Sequence, residues 1–323
     1  TVDAETTVLF ADADIDTLDV IDATTVTFGG DFEASGDVTA DTSILGTIIV
    51  DGSIDADGTV TLDNNAAGGI EINGAVNGGT GVVLDADAGN VAIDGDVGAE
   101  GIGDINIDAD AGNVLIAATA GASVSTETGT VDITGRTVTL GDAAGESTTF
   151  TAGVVALLPG ALNIAGTVAA NTSTSTMALG DSDTNVAVTA NTTVGGAATG
   201  LIDIGDATLV DGATLTIGTG IANPINLDKV TGTASGAVSS LTINTSGLVN
   251  VAEAVGTDIG VVTLTQSGGT TFAGTVAAAV LLAFVEGILT SFTEPTTARI
   301  ISLLFMSGVL LLRPQGIFAR STG

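Results

Sequence analysis

Apolar and polar residues alternate along short stretches of this chain, and glycine, aspartate or asparagine separates one stretch from the next. The alternation is clear in VDITG (131–135), TLTIG (214–218), LTINT (241–245) and VTLTQ (262–266). A period of two residues is typical of a strand that buries one face and exposes the other. The pattern therefore predicts many short strands joined by tight turns.

A longer repeat is superimposed on this alternation. Segments 60–72, 82–93 and 105–116 align on a turn followed by Ile70, Val91 and Val114, and a weaker copy places Val131 at the same point. The intervals are 21, 23 and 17 residues, and a similar phrase recurs at 179–188. Such a period is typical of stacked strand-turn coils.

We therefore predict an all-β fold, a parallel β-solenoid (β-helix) with rungs of about 17–23 residues. Inward Val, Ile and Leu would form a continuous core, while outward Thr, Asp and Asn would face water. The alternative is a series of tandem small antiparallel β-domains, because these would show the same alternation.

The composition changes near residue 275, which divides the chain into an acidic β-strand-repeat region (1–275) and a hydrophobic C-terminal segment (276–323). The second segment contains AAAVLLAFVEGILTSF (277–292) and a further apolar run at 298–312, with a helix as one option. Residues 277–312 are interpreted as a cap on the solenoid end, a subunit contact or a membrane anchor, and a relic or artefact of the sequence, such as a gene fusion, is the remaining alternative. Glu286 argues against a membrane span, since a charge in hydrocarbon is costly.

The charge and the missing residue types exclude several classes of function. The net charge is −33, with only five Lys and Arg, so nucleic-acid binding through phosphate contacts is not expected. Hydrophobic residues make up 45% of the chain, which separates it from disordered polyanions. His and Cys are both absent, so the commonest general bases and thiol nucleophiles are missing, and we predict that the protein is not an enzyme.

Repeated acidic turns suggest a cation site. The stretch LDADAGNVAIDG (84–95) and its near copy at 107–116 place aspartates two residues apart, and Ca²⁺ prefers such oxygen ligands. In stacked rungs these pairs would form an acidic ladder bridged by Ca²⁺. Turn chemistry is the alternative, because Asp, Asn and Gly suit tight turns without any ion. The candidate ligands are Asp55, Asp57, Asp85, Asp87, Asp108, Asp110, Asp181, Asp183 and Asn185.

Two resemblances can be stated. The phrases GNVLIAATAGASVSTETGTVDITG (112–135), TLTIGTG (214–220) and GVVTLTQSGGTTFAGTVAAA (260–279) resemble the strand repeats of large secreted bacterial surface proteins, the filamentous-haemagglutinin-like adhesins. This resemblance covers about 20–275 and implies an exported, elongated structural or adhesive protein. Residues 277–320, through LLLRPQGIFA (310–319), resemble the end of branched-chain amino-acid and urea ABC transporter permeases. The many apolar spans of a permease are absent from the rest, so transport is not inferred.

These observations predict an extracellular structural protein that forms a surface filament, layer or adhesin stalk and self-associates into a homopolymer. The alternatives are a phage tail-fibre or receptor-binding module, and a surface protein attached to a membrane through 277–312. Three sequons, at Asn171, Asn191 and Asn244, matter only if the source glycosylates exported proteins.

Overall fold

The strands of this protein stack into a β-solenoid. The computed structural model describes residues 1–3, 7–65, 67–100, 103–116, 121–157, 159–170, 176–181, 183–196, 200–220, 222–233 and 236–273. Within these ranges the chain is all-β, without a helix, and its parallel strands form about 11 turns. The predicted fold class is therefore confirmed, and the alternative of tandem antiparallel domains is wrong.

The described chain contains the following strands in order. They are β1 Val2–Asp3, β2 Thr7–Phe10, β3 Ala13–Ile15, β4 Leu18–Phe28, β5 Asp31–Ala34, β6 Val38–Val50, β7 Ser53–Ala56, β8 Thr59–Asn64, β9 Gly69–Ile72, β10 Ala75–Gly78, β11 Gly81–Asp85, β12 Val91–Ile93, β13 Asp96–Ala99, β14 Asp104–Asp108, β15 Asn113–Ile116, β16 Ala122–Thr126, β17 Thr130–Thr134, β18 Thr137–Leu140, β19 Ser147–Thr151, β20 Val154–Leu157, β21 Ala161–Ala170, β22 Thr176–Leu179, β23 Asn185–Gly195, β24 Leu201–Ile204, β25 Asp206–Leu209, β26 Thr214–Ile217, β27 Ile225–Leu227, β28 Val230–Gly232, β29 Ser239–Asn244, β30 Leu248–Val251, β31 Ile259–Gln266 and β32 Gly269–Phe272.

Hydrogen-bond pairing sorts these strands into three parallel ladders, which are the three faces of the solenoid. The first face runs β1, β4, β6, β8, β11, β14, β17, β20, β22, β24, β27, β30, β32. The second runs β2, β4, β6, β9, β12, β15, β18, β21, β23, β25, β28, and the third runs β3, β5, β7, β10, β13, β16, β19, β21, β23, β26, β29, β31. Strands β4, β6, β21 and β23 are long enough to bend from one face to the next.

The turn length is more regular than the sequence repeat suggested. Along the second face the in-register residues are Val26, Ile48, Ile70, Val91, Val114, Val138, Leu162, Val186, Ala207 and Val230, which lie 21 to 24 residues apart. The 17-residue interval from Val114 to Val131 is not a turn of the solenoid, because Val131 pairs with Ile105 on the first face. All three faces share the same alternation, so the sequence pattern alone did not separate them.

Alternating burial produces one continuous aliphatic core. In β26 the pattern is half-buried Thr214, buried Leu215, half-buried Thr216 and buried Ile217. On the first face Val60, Val82, Ile105, Val131, Val155, Met177, Ile202 and Ile225 stack in register, and each is at most 1% exposed. Complete burial of one such side chain contributes about 1.5–3 kcal/mol relative to exposure.

Glycine is required at the corner between the second and third faces. A Cβ on Gly74 would lie 1.7 Å from the Gly52 carbonyl oxygen, and a Cβ on Gly95 would lie 1.6 Å from that of Gly74. No side chain fits at these distances, since successive corners stack backbone on backbone. The corners 51–52, 73–74 and 94–95 therefore keep an Asp-Gly or Asn-Gly pair.

The two ends of the described solenoid differ in composition. Near the N-terminus, Phe10, Phe28 and Phe32 form an aromatic cluster with ring centroids 5.1–5.5 Å apart. At the other end the described chain stops after β32, so the predicted hydrophobic segment (276–323), including 277–312, lies outside the described residues. Within the described ranges, no helix has the length and apolar character needed to cross a bilayer.

Candidate functional site

The predicted cation ligands lie at two different places on the solenoid. Most lie at the corner between the first and second faces, from the last residue of a first-face strand to the first residue of a second-face strand: Asp85, Asp87, Asp108, Asp110, Asp181, Asp183 and Asn185. Asp55 lies instead on the third face in β7, and Asp57 lies at the corner that follows it. The structure therefore does not bring all nine residues together.

The first Asp-Ala-Asp turn is organised by its own carboxylate. Asp85 Oδ1 accepts a hydrogen bond from the backbone N–H of Asp87 at 3.3 Å, and Asp87 adopts a φ of 42°. The Gly89 N–H donates to the Ala86 carbonyl at 2.6 Å, and the Ala86 side chain is fully buried. Asp tolerates this left-handed conformation better than most residues, and its side chain commonly closes such a turn.

The second copy of the turn has the same geometry one rung later. Asp108 Oδ1 accepts from the Asp110 N–H at 2.9 Å, and Asp110 has a φ of 39°. The two turns are also bonded to each other, since the Ala111 N–H donates to the Asp87 carbonyl at 3.1 Å. Turn chemistry thus accounts for the Asp-x-Asp spacing in both copies, which was the alternative interpretation of the sequence.

The predicted site at 181–185 is a turn of a similar kind. Asp181 Oδ1 accepts from the backbone N–H groups of Asp183 and Thr184, each at 2.9 Å. The hydrogen bond from the Asp183 N–H is the main reason that the pKa of Asp181 lies below its usual value, because it stabilises the ionised carboxylate. The Asn185 side-chain oxygen accepts from the Thr208 hydroxyl at 2.8 Å.

Asp55 takes part in a row of polar side chains on the third face. It lies in register between Glu33 and Asn77, and the Asn77 amide donates to Asp55 Oδ1 at 3.1 Å. Amide-to-carboxylate pairing of this kind relieves repulsion along the row. Asp57 lies at the exposed corner, where its backbone N–H donates to the Ala34 carbonyl at 2.9 Å.

An acidic ladder is present at the end of the first face, although it includes residues that the sequence did not single out. Asp41, Asp63, Asp85 and Asp108 are in register on four successive rungs. Burial and then the negative charge of Asp41, with smaller effects of Asp85 and Asp87, raise the pKa of Asp63. We define these four in-register aspartates as the acidic ladder.

A second acidic group lies further along the same corner. Burial, followed by the charge of Asp228, raises the pKa of Asp203. Burial, followed by the charges of Asp206 and Asp181, raises the pKa of Asp228. The sequence pattern singled out only Asp181 of this group, because Asp203, Asp206 and Asp228 belong to no Asp-x-Asp phrase.

The described residues contain no set of three or more Asp, Glu, His or Cys side chains that could hold a metal ion. The four residues of the acidic ladder lie in single file, with one of them on each rung. Calcium usually takes six to eight oxygen ligands, many of them carboxylate or carbonyl oxygens gathered around one point. Calcium binding by this corner therefore stays a prediction.

A different role for Asp and Asn recurs throughout the described chain. At strand starts, a side-chain oxygen accepts a hydrogen bond from the backbone N–H of the in-register residue one rung later. This side-chain oxygen takes the place of a backbone carbonyl where the chain is still turning. The bonds are 2.7–3.1 Å long and link Asp12 to Asp31, Asp37 to Thr59, Asn90 to Asn113, Asp96 to Ser123, Asp104 to Thr130 and Asn191 to Thr214.

The surface also has an open groove of about 710 Å³ at the corner between the third and first faces, lined in part by Thr80, Val83, Glu100 and Asp104. One of its two carboxylates is already used, since Asp104 Oδ1 accepts from the Thr130 N–H at 2.7 Å. Its shape and lining do not indicate a specific ligand.

Of the three sequons, Asn171 lies outside the described residues, Asn191 is exposed at a corner and Asn244 is half-buried in β29.

No protein-family model, curated protein or solved structure matches this chain. Interpretation of its function therefore depends on the fold and surface.

Proposed function

We propose that this protein is an extracellular structural element, a stalk or filament subunit without catalytic activity, that works through its rigidity and through self-association. The observation that carries this proposal is the unbroken stack of about 11 parallel turns around one aliphatic core. The resemblance to filamentous-haemagglutinin-like adhesins over about 20–275 points the same way and stays a prediction.

The stack supports a mechanical role because the strands lie across the solenoid axis. Adjacent strands are about 4.8 Å apart, so 11 turns span about 50 Å. On each of the three faces, backbone hydrogen bonds run along this axis from one turn to the next. Side-chain hydrogen bonds at the strand starts reinforce them. Bending such a rod would break several of these bonds at once.

The distribution of charge supports lateral association along the second half of the described rod. Residues 1–146 carry 28 of the 38 acidic residues, whereas residues 147–275 carry eight. Third-face strands β19, β26, β29 and β31 contain no charged residue. Hydroxyl residues lie outward and in register on six successive rungs of this face: Ser147, Thr167, Thr193, Thr216, Thr242 and Thr263.

We refer to these six residues as the threonine row. A flat, uncharged strip on a strongly acidic rod is where two copies would meet with the least electrostatic repulsion. Hydroxyl groups can both donate and accept hydrogen bonds, so two such rows can pair with each other. We propose this row as the lateral contact in the filament or layer.

Electron microscopy and analytical sedimentation of the full chain test the proposal. We expect open-ended assemblies of the unmodified protein, and we expect the double variant Thr216→Glu with Thr242→Glu to disperse them. The matched control places the same two charges in register on the second face, as Thr208→Glu with Thr231→Glu, and should leave the assemblies intact.

Other outcomes would contradict particular parts of the proposal. Discrete trimers with a distinct tip would favour a phage tail-fibre or receptor-binding module. Purification only with detergent would favour a protein attached to a membrane through 277–312. Assemblies that survive in both double variants would show that the threonine row is not the contact.

A further inference from the structure

The last described turn of the solenoid has an apolar inner side that lacks a described neighbour. Strand β31 continues the third-face ladder, so Leu264 stacks on Ile243. Ile243 is fully buried, whereas Leu264 is 40% exposed. On the first face, Val251 is fully buried, whereas its neighbour Phe272 is only partly buried.

We define Val262, Leu264, Thr270 and Phe272, the inward positions of β31 and β32, as the C-terminal end face. An uncovered solenoid end exposes core side chains together with the unpaired N–H and C=O groups of its last strands. Such an edge invites pairing with other chains, so a stable solenoid needs a cover at this point.

The chain that follows has the properties of such a cover. Residues 274–323 continue directly from β32, so they begin at the end face itself. Within them, 277–312 is a segment of 36 residues, longer than the 21–24 residues of one turn. The segment is predominantly apolar, and residues 276–323 carry two acidic and three basic residues against the strongly acidic charge of the solenoid.

We propose that residues 277–312 of the same chain lie across the C-terminal end face and close the solenoid there. The connection is short, with residues 274–276 between the last described residue and the segment. A short tether gives the segment an effective concentration in the millimolar range at the end face, well above that of a second copy in dilute solution. The proposal depends on the fold and not on the proposed function.

Closure of this end determines how copies can associate. When the end face is covered, strands of another molecule cannot pair with β31 and β32. Copies can then contact one another only through the side faces and the outer side of the cover. The same segment is then unavailable to insert into a membrane while it covers the core.

The absence of cysteine from the chain makes a direct test possible. Single cysteines are introduced into the full-length protein as Leu264→Cys, which points into the end face, and as Thr271→Cys, an exposed outward position of β32 outside the threonine row. We expect a charged thiol reagent to modify the Leu264→Cys protein at least tenfold more slowly than the Thr271→Cys protein. Equal rates would overturn the proposal.

A second measurement identifies the cover. Leu264→Cys is combined in turn with Leu281→Cys, Phe284→Cys or Ile288→Cys, and mild oxidation should produce a disulfide within one chain for at least one pair. The same tail cysteines with Thr271→Cys are the controls and should cross-link far less. Mass spectrometry of monomers detects the internal disulfide whether or not the protein assembles. This test is therefore independent of the filament proposal.

Three results would contradict closure by the same chain. Disulfide-linked dimers in place of internal cross-links would assign the cover to a second copy. If the slow modification of the Leu264→Cys protein became fast on dilution, the cover would likewise be assigned to a second copy. Flotation of the full-length protein with phosphatidylcholine vesicles, together with rapid modification of the Leu264→Cys protein, would place the segment in the membrane.

Discussion

Replacement of Asp63 by Asn tests what the acidic ladder does to stability. Asp63 is partly buried and lies in register between Asp41 and Asp85, and burial followed by the Asp41 charge raises its pKa. Asparagine has nearly the same shape, so the substitution removes one negative charge with little change in packing. Since both neighbours are also negative, we expect the folded protein to become more stable.

The magnitude follows from the strand spacing. Side chains on adjacent strands start about 4.8 Å apart, and two unit charges at that separation repel by about 0.9 kcal/mol in water. Two neighbours therefore contribute about 2 kcal/mol at low salt. Screening in about 0.1 M salt, where the Debye length is about 10 Å, reduces this to about 1 kcal/mol, which corresponds to a rise of roughly 2–4 °C in melting temperature.

The pH dependence has a definite sign. Because the pKa of Asp63 in the folded protein lies above its ordinary value of 3.8, the folded state keeps a proton that the unfolded chain has already released. The contribution of this group to stability therefore falls as the pH rises from 3.8 through the raised pKa. The advantage of Asp63→Asn should be absent below 3.8, grow across that window and stay constant at higher pH.

Thermal melting followed by circular dichroism checks this prediction at low and high salt. The matched control is Asp57→Asn, which removes one charge at an exposed corner outside the acidic ladder and should change the melting temperature less. A melting temperature of Asp63→Asn at or below that of the unmodified protein at low salt would refute charge repulsion within the acidic ladder. A gain in melting temperature that is as large at high salt as at low salt would refute it equally.

Four further predictions concern the turns, the core and the cation hypothesis. Asp104→Ala removes the acceptor of the Thr130 N–H and should lower the free energy of unfolding by about 1–2 kcal/mol. Asp104→Asn keeps an acceptor and should lower it less. Equal losses of the two variants on denaturant unfolding would contradict the acceptor role. Leu84→Ala should cost about 2–5 kcal/mol, because it empties a fully buried position between two rungs, and a loss below 1 kcal/mol would argue against a packed core. Gly74→Ala should prevent normal stacking of the corner on the Gly52 carbonyl, and its melting temperature should fall sharply; an unchanged melting temperature would show that the corner can move apart. Calcium should raise the melting temperature or the assembly length of the unmodified protein relative to a chelator, and no response in either measurement would rule out the cation hypothesis.

The sequence was sufficient to predict the parallel β-solenoid, but not to assign each strand to one of its three faces. Alternation such as TLTIG (214–218) determines which side chains point inward, because successive residues of a strand lie on opposite sides. The recurrence of Ile70, Val91 and Val114 likewise predicted in-register stacking. Val131 was assigned to the wrong face, since a two-residue period is the same on all three faces.

The hydrogen-bond partners of the aspartates were decided only by the tertiary structure. The phrase LDADAGNVAIDG (84–95) is compatible with an ion or with a turn, because both need oxygen atoms and a left-handed residue. The folded chain shows that Asp85 Oδ1 accepts from the Asp87 N–H, which accounts for the turn, whereas the binding of an ion stays a prediction. The acidic ladder joins residues 22 to 23 positions apart, so it exists only once the strand register is fixed.

Composition and stacking between turns determine different features of this protein. Forty-six glycines and alternating Val, Ile, Leu and Thr dictate short strands with tight corners. That the Gly74 corner tolerates no side chain depends on the carbonyl of Gly52, one turn earlier. Local sequence thus determined the elements of this protein, whereas contacts between turns decided which residues share a corner, because neighbours along the axis are more than twenty residues apart in the chain.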